Sequence, residues 1–281
     1  MSSDLRITVL GCGSSGGVPR FGGKEGAGEW GACDPEEPKN RRTRCSILVQ
    51  KEHPEFGFQH DKVTSVLVDT SPDMRAQLLA ARCSRLDAVL FTHDHADQSH
   101  GIDDLRVFAL HMRKRIPVYI DCETSGVLLD RFKYCFEQAP GSPYPAILDY
   151  KAMPECGEEF TVSGPSGEIP VIPFLQYHGS VNSLGFRFGD AAYSSDVVGL
   201  PQDSFDILSG VNIWVVDALQ YEPHGTHAHL DLTLEWIERV RPRYAMLTNL
   251  HIHMDYQTLK SFLPNGVEPA YDGLIIKAQT Q

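Results

Sequence analysis

Short runs of apolar and β-branched residues alternate along the chain with longer segments in which apolar residues recur at helical spacing. The short runs predict strands at Ile7–Leu10, Cys45–Gln50, Val63–Val68, Ala88–Phe91, Val118–Ile120, Ile169–Leu175, Leu184–Phe188, Ala191–Ser194, Ile213–Val216 and Tyr244–Leu247. The helical spacing predicts helices at Met74–Arg82, Asp103–Lys114, Glu123–Gln138, Asp231–Val240 and Tyr256–Phe262. This alternation predicts an α/β fold with two sheets flanked by helices.

The segment Gly13–Arg44 departs from this pattern. It is rich in glycine, proline and charged residues, which is typical of a long loop that leaves the fold at an edge. No internal repeat, low-complexity tract or Pro/Ser-rich linker divides the chain. We therefore expect residues 1–281 to form a single domain, with an excursion at about residues 13–44.

Composition and charge narrow the possible functions. Hydrophobic residues make up 42% of the chain and charged residues 22%, as in ordinary globular proteins, and no apolar run approaches a membrane span. The seven cysteines are scattered without a CxxC pair and no signal-peptide pattern is present, so we expect a cytoplasmic location. The net charge of −12 disfavours a long nucleic acid as partner but is compatible with a small anionic substrate at a metal centre.

The run His93-Asp94-His95-Ala96-Asp97 directly follows the predicted strand Ala88–Phe91. Side chains two residues apart on an extended segment point the same way, so His93, His95 and Asp97 can converge beyond the strand end. Imidazole and carboxylate are ligands that suit Zn, Mn or Fe. The alternative is a polar loop with two exposed histidines, but the position between a strand and a predicted helix favours a metal site.

The same run resembles the HxHxDH signature of hydrolases with the metallo-β-lactamase fold. Segments similar to other parts of that family follow in the same order, at Ile7–Gly17, Val68–Thr70, Tyr177–Ser180, Tyr193–Asp196 and Leu247–His251. The resemblance covers nearly the whole chain. It implies a four-layer αββα sandwich with two divalent ions, Mn or Zn, at one edge between the sheets.

The resemblance also implies a set of metal ligands. Three histidines would hold the first ion, namely His93, His95 and His178. Asp97 and His251 would hold the second ion, and Asp196 would bridge the two. A hydroxide between the ions would be the nucleophile, because two cations lower the pKa of water towards neutrality.

Some positions depart from the family pattern or leave alternatives open. Gln98 stands where the family has histidine, and its neutral oxygen would weaken the second site or favour Mn over Zn. His100 could compensate for Gln98, and His253 could replace His251 as a ligand. Asp69 would either orient a metal ligand from behind or cap the helix that follows Pro72.

Two segments are similar to the cyclic-phosphodiesterase branch of this superfamily, which includes the phosphonate-operon enzymes. The first is the opening Leu10–Pro19, whose backbone N–H groups could face a phosphate or simply form a tight turn. The second is Tyr221–Leu230, in which His227 matches a histidine that contacts the phosphate or protonates the leaving oxygen. The alternative is a cluster of solvated histidines. Only Cys33 remains of the branch's cysteine cluster, so we expect no accessory zinc site. The basic run Lys39–Arg44 could bind a phosphate or be a solvated loop.

These features predict a metal-dependent phosphodiesterase acting on a small cyclic phosphate or nucleotide-type diester. Catalysis would depend on His227 as the acid and on Asp97 at the metal centre. Thioester or lactone hydrolysis by the same fold, and a non-catalytic metal- or metabolite-binding role, are the alternatives. A small phosphate-containing substrate, no membrane and a possible homodimer complete the expected partners.

Overall fold

The computed structural model describes residues 4–59 and 61–280, and its strands form two mixed sheets of seven strands each. The strands are β1 Leu5–Gly11, β2 Ser46–Lys51, β3 Thr64–Val68, β4 Ala88–Leu90, β5 Ile116–Ile120, β6 Leu148–Ala152, β7 Phe160–Gly164, β8 Gly167–His178, β9 Val181–Phe188, β10 Ala191–Ser194, β11 Ile213–Asp217, β12 Tyr244–Thr248, β13 Val267–Pro269 and β14 Ile275–Ala278. The first sheet has the order β14-β1-β2-β3-β4-β5-β6 and the second β13-β12-β11-β10-β9-β8-β7.

Helices cover the outer faces of both sheets. They are α1 Met74–Ala80, α2 Ala96–Ser99, α3 Arg106–Met112, α4 Cys122–Arg131, α5 Lys133–Phe136, α6 Gln202–Leu208, α7 Leu230–Val240 and α8 Tyr256–Phe262, with short 3₁₀ turns at Lys24–Gly26, Pro38–Asn40 and Ile102–Leu105. One apolar cluster lies between the sheets, a second packs α1, α3 and α4 on the first sheet, and a third packs α6, α7 and α8 on the second. The architecture is the predicted αββα sandwich.

Each sheet contains a parallel half. Strands β3 to β6 run parallel in one sheet and β10 to β13 in the other. Parallel strands are buried on both faces, which explains why β3, β4, β10 and β11 are buried along their whole length. The carboxyl ends of parallel strands meet at one edge of a sheet, and ligands bind in the crevice there.

The structure corrects part of the predicted helix pattern. The segment Glu123–Gln138 is two helices, α4 and α5, because Phe132 between them has φ −117° and ψ 31° and interrupts the helix. The segment Asp103–Lys114 begins as a 3₁₀ turn and becomes α-helical only at Arg106. Periodicity predicted the location of both segments but not these local breaks.

The excursion of residues 13–44 is held against the segment that follows β12. Val18, Cys33 and Ile252 form a small buried apolar cluster, and Trp30 packs against it. Beside it, Asn40 is fully buried and donates from Nδ2 to Asp255 Oδ2 at 2.7 Å. The excursion is therefore anchored to the rest of the fold at Val18, Cys33 and Asn40, whereas residues 21–27 between these anchors are exposed.

Within the described residues, no helix is both long and apolar enough to cross a membrane.

Candidate metal and catalytic site

The polar residues of the site are positioned by the ends of parallel strands. Asp69 follows β3, Asp196 lies just beyond β10, Asp217 ends β11 and Asn249 follows β12. Asp69, Asp196 and Asn249 have φ of 64°, 51° and 62°, a left-handed conformation that aspartate and asparagine adopt more readily than most residues. The chain turns sharply at each of these three residues, which directs their side chains into the crevice between the sheets.

Three histidines form the first part of the cluster. The rings of His93 and His95 lie 4.4 Å apart between centroids, and each lies 5.1 Å from the ring of His178. One ligand atom from each lies within 4.8 Å of the others, close enough to converge on one ion. Burial lowers the pKa of His93 well below its ordinary value and also lowers the pKa of His178. Both rings are therefore neutral near pH 7, as metal coordination requires.

Hydrogen bonds behind these rings fix their orientation. The Thr92 hydroxyl donates to Asp69 Oδ2 at 2.9 Å, so it accepts from His93 Nδ1, also at 2.9 Å. His93 Nε2 is then left with its lone pair and, among the described residues, has no hydrogen-bond partner. His178 Nδ1 lies 2.7 Å from the Thr226 carbonyl oxygen and donates to it, leaving Nε2 free. These bonds are those that ligating histidines make in proteins, so the residues fit a first divalent ion.

The arrangement resolves the two roles considered for Asp69. Its carboxylate accepts both the backbone N–H and the hydroxyl of Thr92 and is fully buried. The helix after Pro72 begins at Met74, and its N-cap residue is Asp73, whose side chain makes no capping hydrogen bond. Asp69 thus acts on His93 through Thr92 and does not cap α1.

Asp196 lies at the centre of the site. Its Oδ1 is 4.0 Å from His178 Nε2 and 3.9 Å from His227 Nε2. Its Oδ2 accepts from Gln98 Nε2 at 3.1 Å, and the same amide nitrogen lies 3.5 Å from Asp97 Oδ2. Burial and the nearby Asp196 carboxylate raise the pKa of Asp97. The structure therefore brings Asp97, Gln98 and Asp196 together, with the amide between the two carboxylates.

His227 lies on the other side of Asp196, paired with a buried carboxylate. Its Nδ1 is 2.8 Å from Asp217 Oδ2, and its ring centroid is 4.7 Å from that of His178. Burial acts to lower the pKa of His227, but the adjacent Asp217 outweighs it and raises that pKa to about 9. Among the three neighbouring histidines of residues 221–230, His227 is thus the one that faces the cluster, whereas His224 is exposed.

His251 does not take the place that the sequence predicted for it. Among the residues that the structure describes, it joins no group of three potential ligands. Asn249 occupies the end of β12 instead, with its amide 3.1 Å from His227 Nδ1. His251 lies two residues further on with its ring 4.7 Å from that of His253. Burial, with Arg20, His253 and His224, lowers the pKa of His251 to about 4.

His100 and the basic run have structural partners rather than site positions. His100 is exposed at the end of α2 and packs edge-on against Phe132. In the run Lys39–Arg44, Arg42 is buried beside Asn40, and Arg44 pairs with Asp73 at 2.9 Å. The other cations lie over aromatic rings. Arg20, from the glycine-rich opening, lies near enough to His251 to help lower its pKa.

Sequence reasoning missed two residues of the site, Asp217 and Asn249. Both are polar residues at the ends of apolar, parallel strands, as are Asp69 and Asp196. That shared position was the available signal, because carboxyl ends of parallel strands converge. The family resemblance predicted His251 as the ligand after β12 instead.

Comparison with known proteins agrees with this fold. A family profile described as "Beta-lactamase superfamily domain" matches residues 64–252. A crystal structure of a diphosphatase from the PhnP family is 31% identical, covers 98% of both chains and superposes with a TM-score of 0.82. Zn²⁺-bound PqqB from Methylobacterium extorquens shares the fold, with a TM-score of 0.73, 16% identity and coverage of 97% of this chain and 99% of that one.

Among curated proteins, an octanoyltransferase from Porphyromonas gingivalis is 29% identical over 96% of this chain. The match spans only 51% of that protein, so the chain covers about half the length of this relative. The superfamily profile covers more than half of the chain, and the similarity to the diphosphatase extends over nearly all of it. The chain therefore belongs to the beta-lactamase superfamily and, within it, to the PhnP family, and it has the metallo-β-lactamase fold.

Proposed function

We propose that the chain is a metal-dependent phosphodiesterase that hydrolyses a small cyclic phosphate or nucleotide-type diester. The observation that carries the proposal is the pair formed by Asp217 and His227, whose imidazole faces Asp196 at 3.9 Å beside the three-histidine cluster. A hydrolase that only needs to activate water has no use for a second, carboxylate-held imidazole. Cleavage of a diester with a poor leaving group does need an acid there.

The metal would be held by the cluster of His93, His95 and His178, with Asp196 beside it. A divalent ion such as Mn²⁺ or Zn²⁺, when bound there, polarises phosphoryl oxygens and lowers the pKa of bound water. The three imidazoles and one carboxylate are a donor set that suits either ion. The PhnP-family diphosphatase supports a phosphate ester as the substrate class.

Asp217 and His227 have different roles in the proposed reaction. Asp217 accepts a hydrogen bond from His227 Nδ1, which fixes the tautomer and directs Nε2 towards the cluster. A proton on Nε2 is delivered to the departing oxygen. The Asp217 carboxylate is fully buried and its Oδ2 also accepts the Val197 N–H at 3.1 Å, so it is held rigidly for this role.

The charge distribution supports a small substrate. The net charge is −12, and the basic run Lys39–Arg44 is occupied by internal ion pairs and aromatic contacts. Arg20 Nε is buried and has no hydrogen-bond partner within the described ranges, so it is a cation left for a substrate anion at the edge. A long nucleic acid would require a wider basic surface.

Thioester hydrolysis is the second candidate, because the octanoyltransferase relative carries an acyl-transfer name. The Asp217–His227 pair argues against it, since a thiolate leaves without a proton at neutral pH far more readily than an alkoxide does. An octanoyl thioester is the appropriate comparison substrate.

The test is hydrolysis by chelator-stripped full-length protein, reloaded with Mn²⁺ or Zn²⁺, of a 2′,3′-cyclic nucleotide, bis(p-nitrophenyl) phosphate and an octanoyl thioester. We expect metal-dependent turnover of the diesters, lost in Asp196→Ala and, for the cyclic nucleotide, in His227→Ala. His111→Ala, an exposed histidine on α3, is the control and should behave as the unaltered protein. Turnover of the thioester alone would overturn the proposal.

A further inference from the structure

The place between Asp97 and Asp196, where the family resemblance puts a second ion, contains the side chain of Gln98. Gln98 is 1% exposed, and its Nε2 donates to Asp196 Oδ2 at 3.1 Å and reaches Asp97 Oδ2 at 3.5 Å. An amide nitrogen carries two N–H donors, one for each carboxylate. The amide therefore links the two carboxylates, which is what a bridging cation would otherwise do.

The imidazole ligand that a second ion needs is also missing from the strand end. Asn249 stands at the end of β12, with its amide 3.1 Å from His227 Nδ1. His251 lies beyond it, beside His253. His227 groups with His178 and Asp196 on the side of the first ion, and its Nδ1 is paired with Asp217. Apart from these imidazoles, the donors left for a second ion are two carboxylates and neutral amide oxygens, a set that binds Zn²⁺ far more weakly than imidazole does. The residues fit the first ion and do not fit the second.

We propose that this chain holds a single divalent ion tightly, at His93, His95 and His178, and that Gln98 replaces the second ion as a neutral bridge between Asp97 and Asp196. The inference rests on the metal centre of the proposed function and is independent of which ester is cleaved. It assigns to Gln98 a positioning role, since the amide holds two like charges together without a cation.

The Gln98 amide has a defined orientation between the two carboxylates. With Nε2 towards the carboxylates, Gln98 Oε1 is buried and has no hydrogen-bond partner in the described part of the chain. Turning the amide over would place its oxygen against two carboxylates, an arrangement that only an intervening cation stabilises. The number of ions and the direction of the amide are thus coupled.

The experiment is a metal count on the full chain, stripped with chelator and titrated with Zn²⁺ and separately with Mn²⁺, by calorimetry and native mass spectrometry. We expect one equivalent, with no second step at concentrations that saturate the first. The double variant Gln98→His with Asn249→His should bind a second equivalent. Gln138→His, which adds an exposed histidine elsewhere, is the matched control and should still bind one.

Gln98→Glu supplies a second readout that requires no change in side-chain size. Three carboxylates would then face one another without a cation, so the metal-free variant should melt well below the metal-free wild type and recover when a second equivalent binds. Two tight equivalents in the wild type would overturn the proposal. So would a double variant that folds, by circular dichroism, and still binds one ion, or a Gln98→Glu melting temperature that responds to metal no more than the wild type does. None of these outcomes depends on activity, so the proposed function can fail separately.

Discussion

Replacing Asp217 with asparagine removes the charge that holds His227 protonated while keeping the size of the side chain. The carboxylate is fully buried and 2.8 Å from His227 Nδ1. Its charge and hydrogen bond oppose burial and raise the pKa of His227 to about 9. Without that charge, burial is opposed only by Asp196 and Asp97, so the pKa of His227 falls towards its ordinary value and most of the imidazole loses its proton near pH 7.5.

The size of the loss depends on the leaving group. General acid catalysis contributes about 10²- to 10⁴-fold, and it matters only where the departing oxygen is strongly basic. We expect kcat/KM of Asp217→Asn for a 2′,3′-cyclic nucleotide to fall by at least about 100-fold. For bis(p-nitrophenyl) phosphate, whose nitrophenolate leaves without help, the fall should be only a few-fold. The ratio of the two losses is therefore the measured quantity.

Asp190→Asn is the control. Asp190 immediately precedes β10, whereas Asp196 follows it, so the two carboxylates lie at opposite ends of the strand. Asp190 accepts hydrogen bonds from the Asn212 side chain and the Gln279 backbone. It should leave both rates unchanged. Equal losses for the two esters in Asp217→Asn would mean that Asp217 only supports the site's shape. No loss for the cyclic nucleotide would refute the assignment of His227 as the acid.

Further predictions concern metal affinity and stability. Thr92→Val breaks the hydrogen bonds that connect His93 to Asp69, and it should weaken binding of the first ion about 10- to 100-fold in calorimetric titration. Thr161→Val, at an exposed strand position, is the control and should leave the affinity unchanged. Equal affinities in the two variants would contradict the role of Thr92 in orienting His93. Ile252→Ala removes the centre of the excursion's apolar cluster and should cost about 2–4 kcal/mol in urea unfolding; a cost within error of zero would mean that the excursion is not anchored there. Burial raises the pKa of Asp272 to about 6, so the folded state holds the proton of this carboxyl more tightly than the unfolded state does. The stability that the bound proton contributes therefore falls as pH rises from about 4 to 6, by up to about 3 kcal/mol. Relative to Asp272→Asn, the wild type should therefore lose stability over that pH window, as measured by denaturant unfolding, and parallel curves would count against it.

Much of the fold and site was predictable because burial and strand geometry leave a strong pattern. The run from His93 to Asp97 follows an apolar strand, and its histidines lie together as the two-residue spacing predicted. Asp196 and His227 were also predicted, and the structure brings both to the crevice. These are positions where residue type and strand end coincide.

The rest depended on backbone direction, which residue type does not encode. Asn249 adopts φ 62° and turns the chain so that its own side chain, and not that of His251, faces the site. Asp217 looked like the ordinary end of a buried strand, and its role appears only when a segment ten residues later brings His227 against it. Likewise, the helix break at Phe132 is a change in local dihedral angles within an otherwise helical pattern.

The excursion is fastened by Val18, Cys33 and Ile252, with Asn40 and Asp255 beside them, and none of these contacts involves the three-histidine cluster. Removal of an ion bound at that cluster is therefore expected to leave the mouth of the site assembled. Protein that lacks the ion could therefore bind it again without refolding the excursion. Its activity would then rise and fall reversibly with the concentration of free ion.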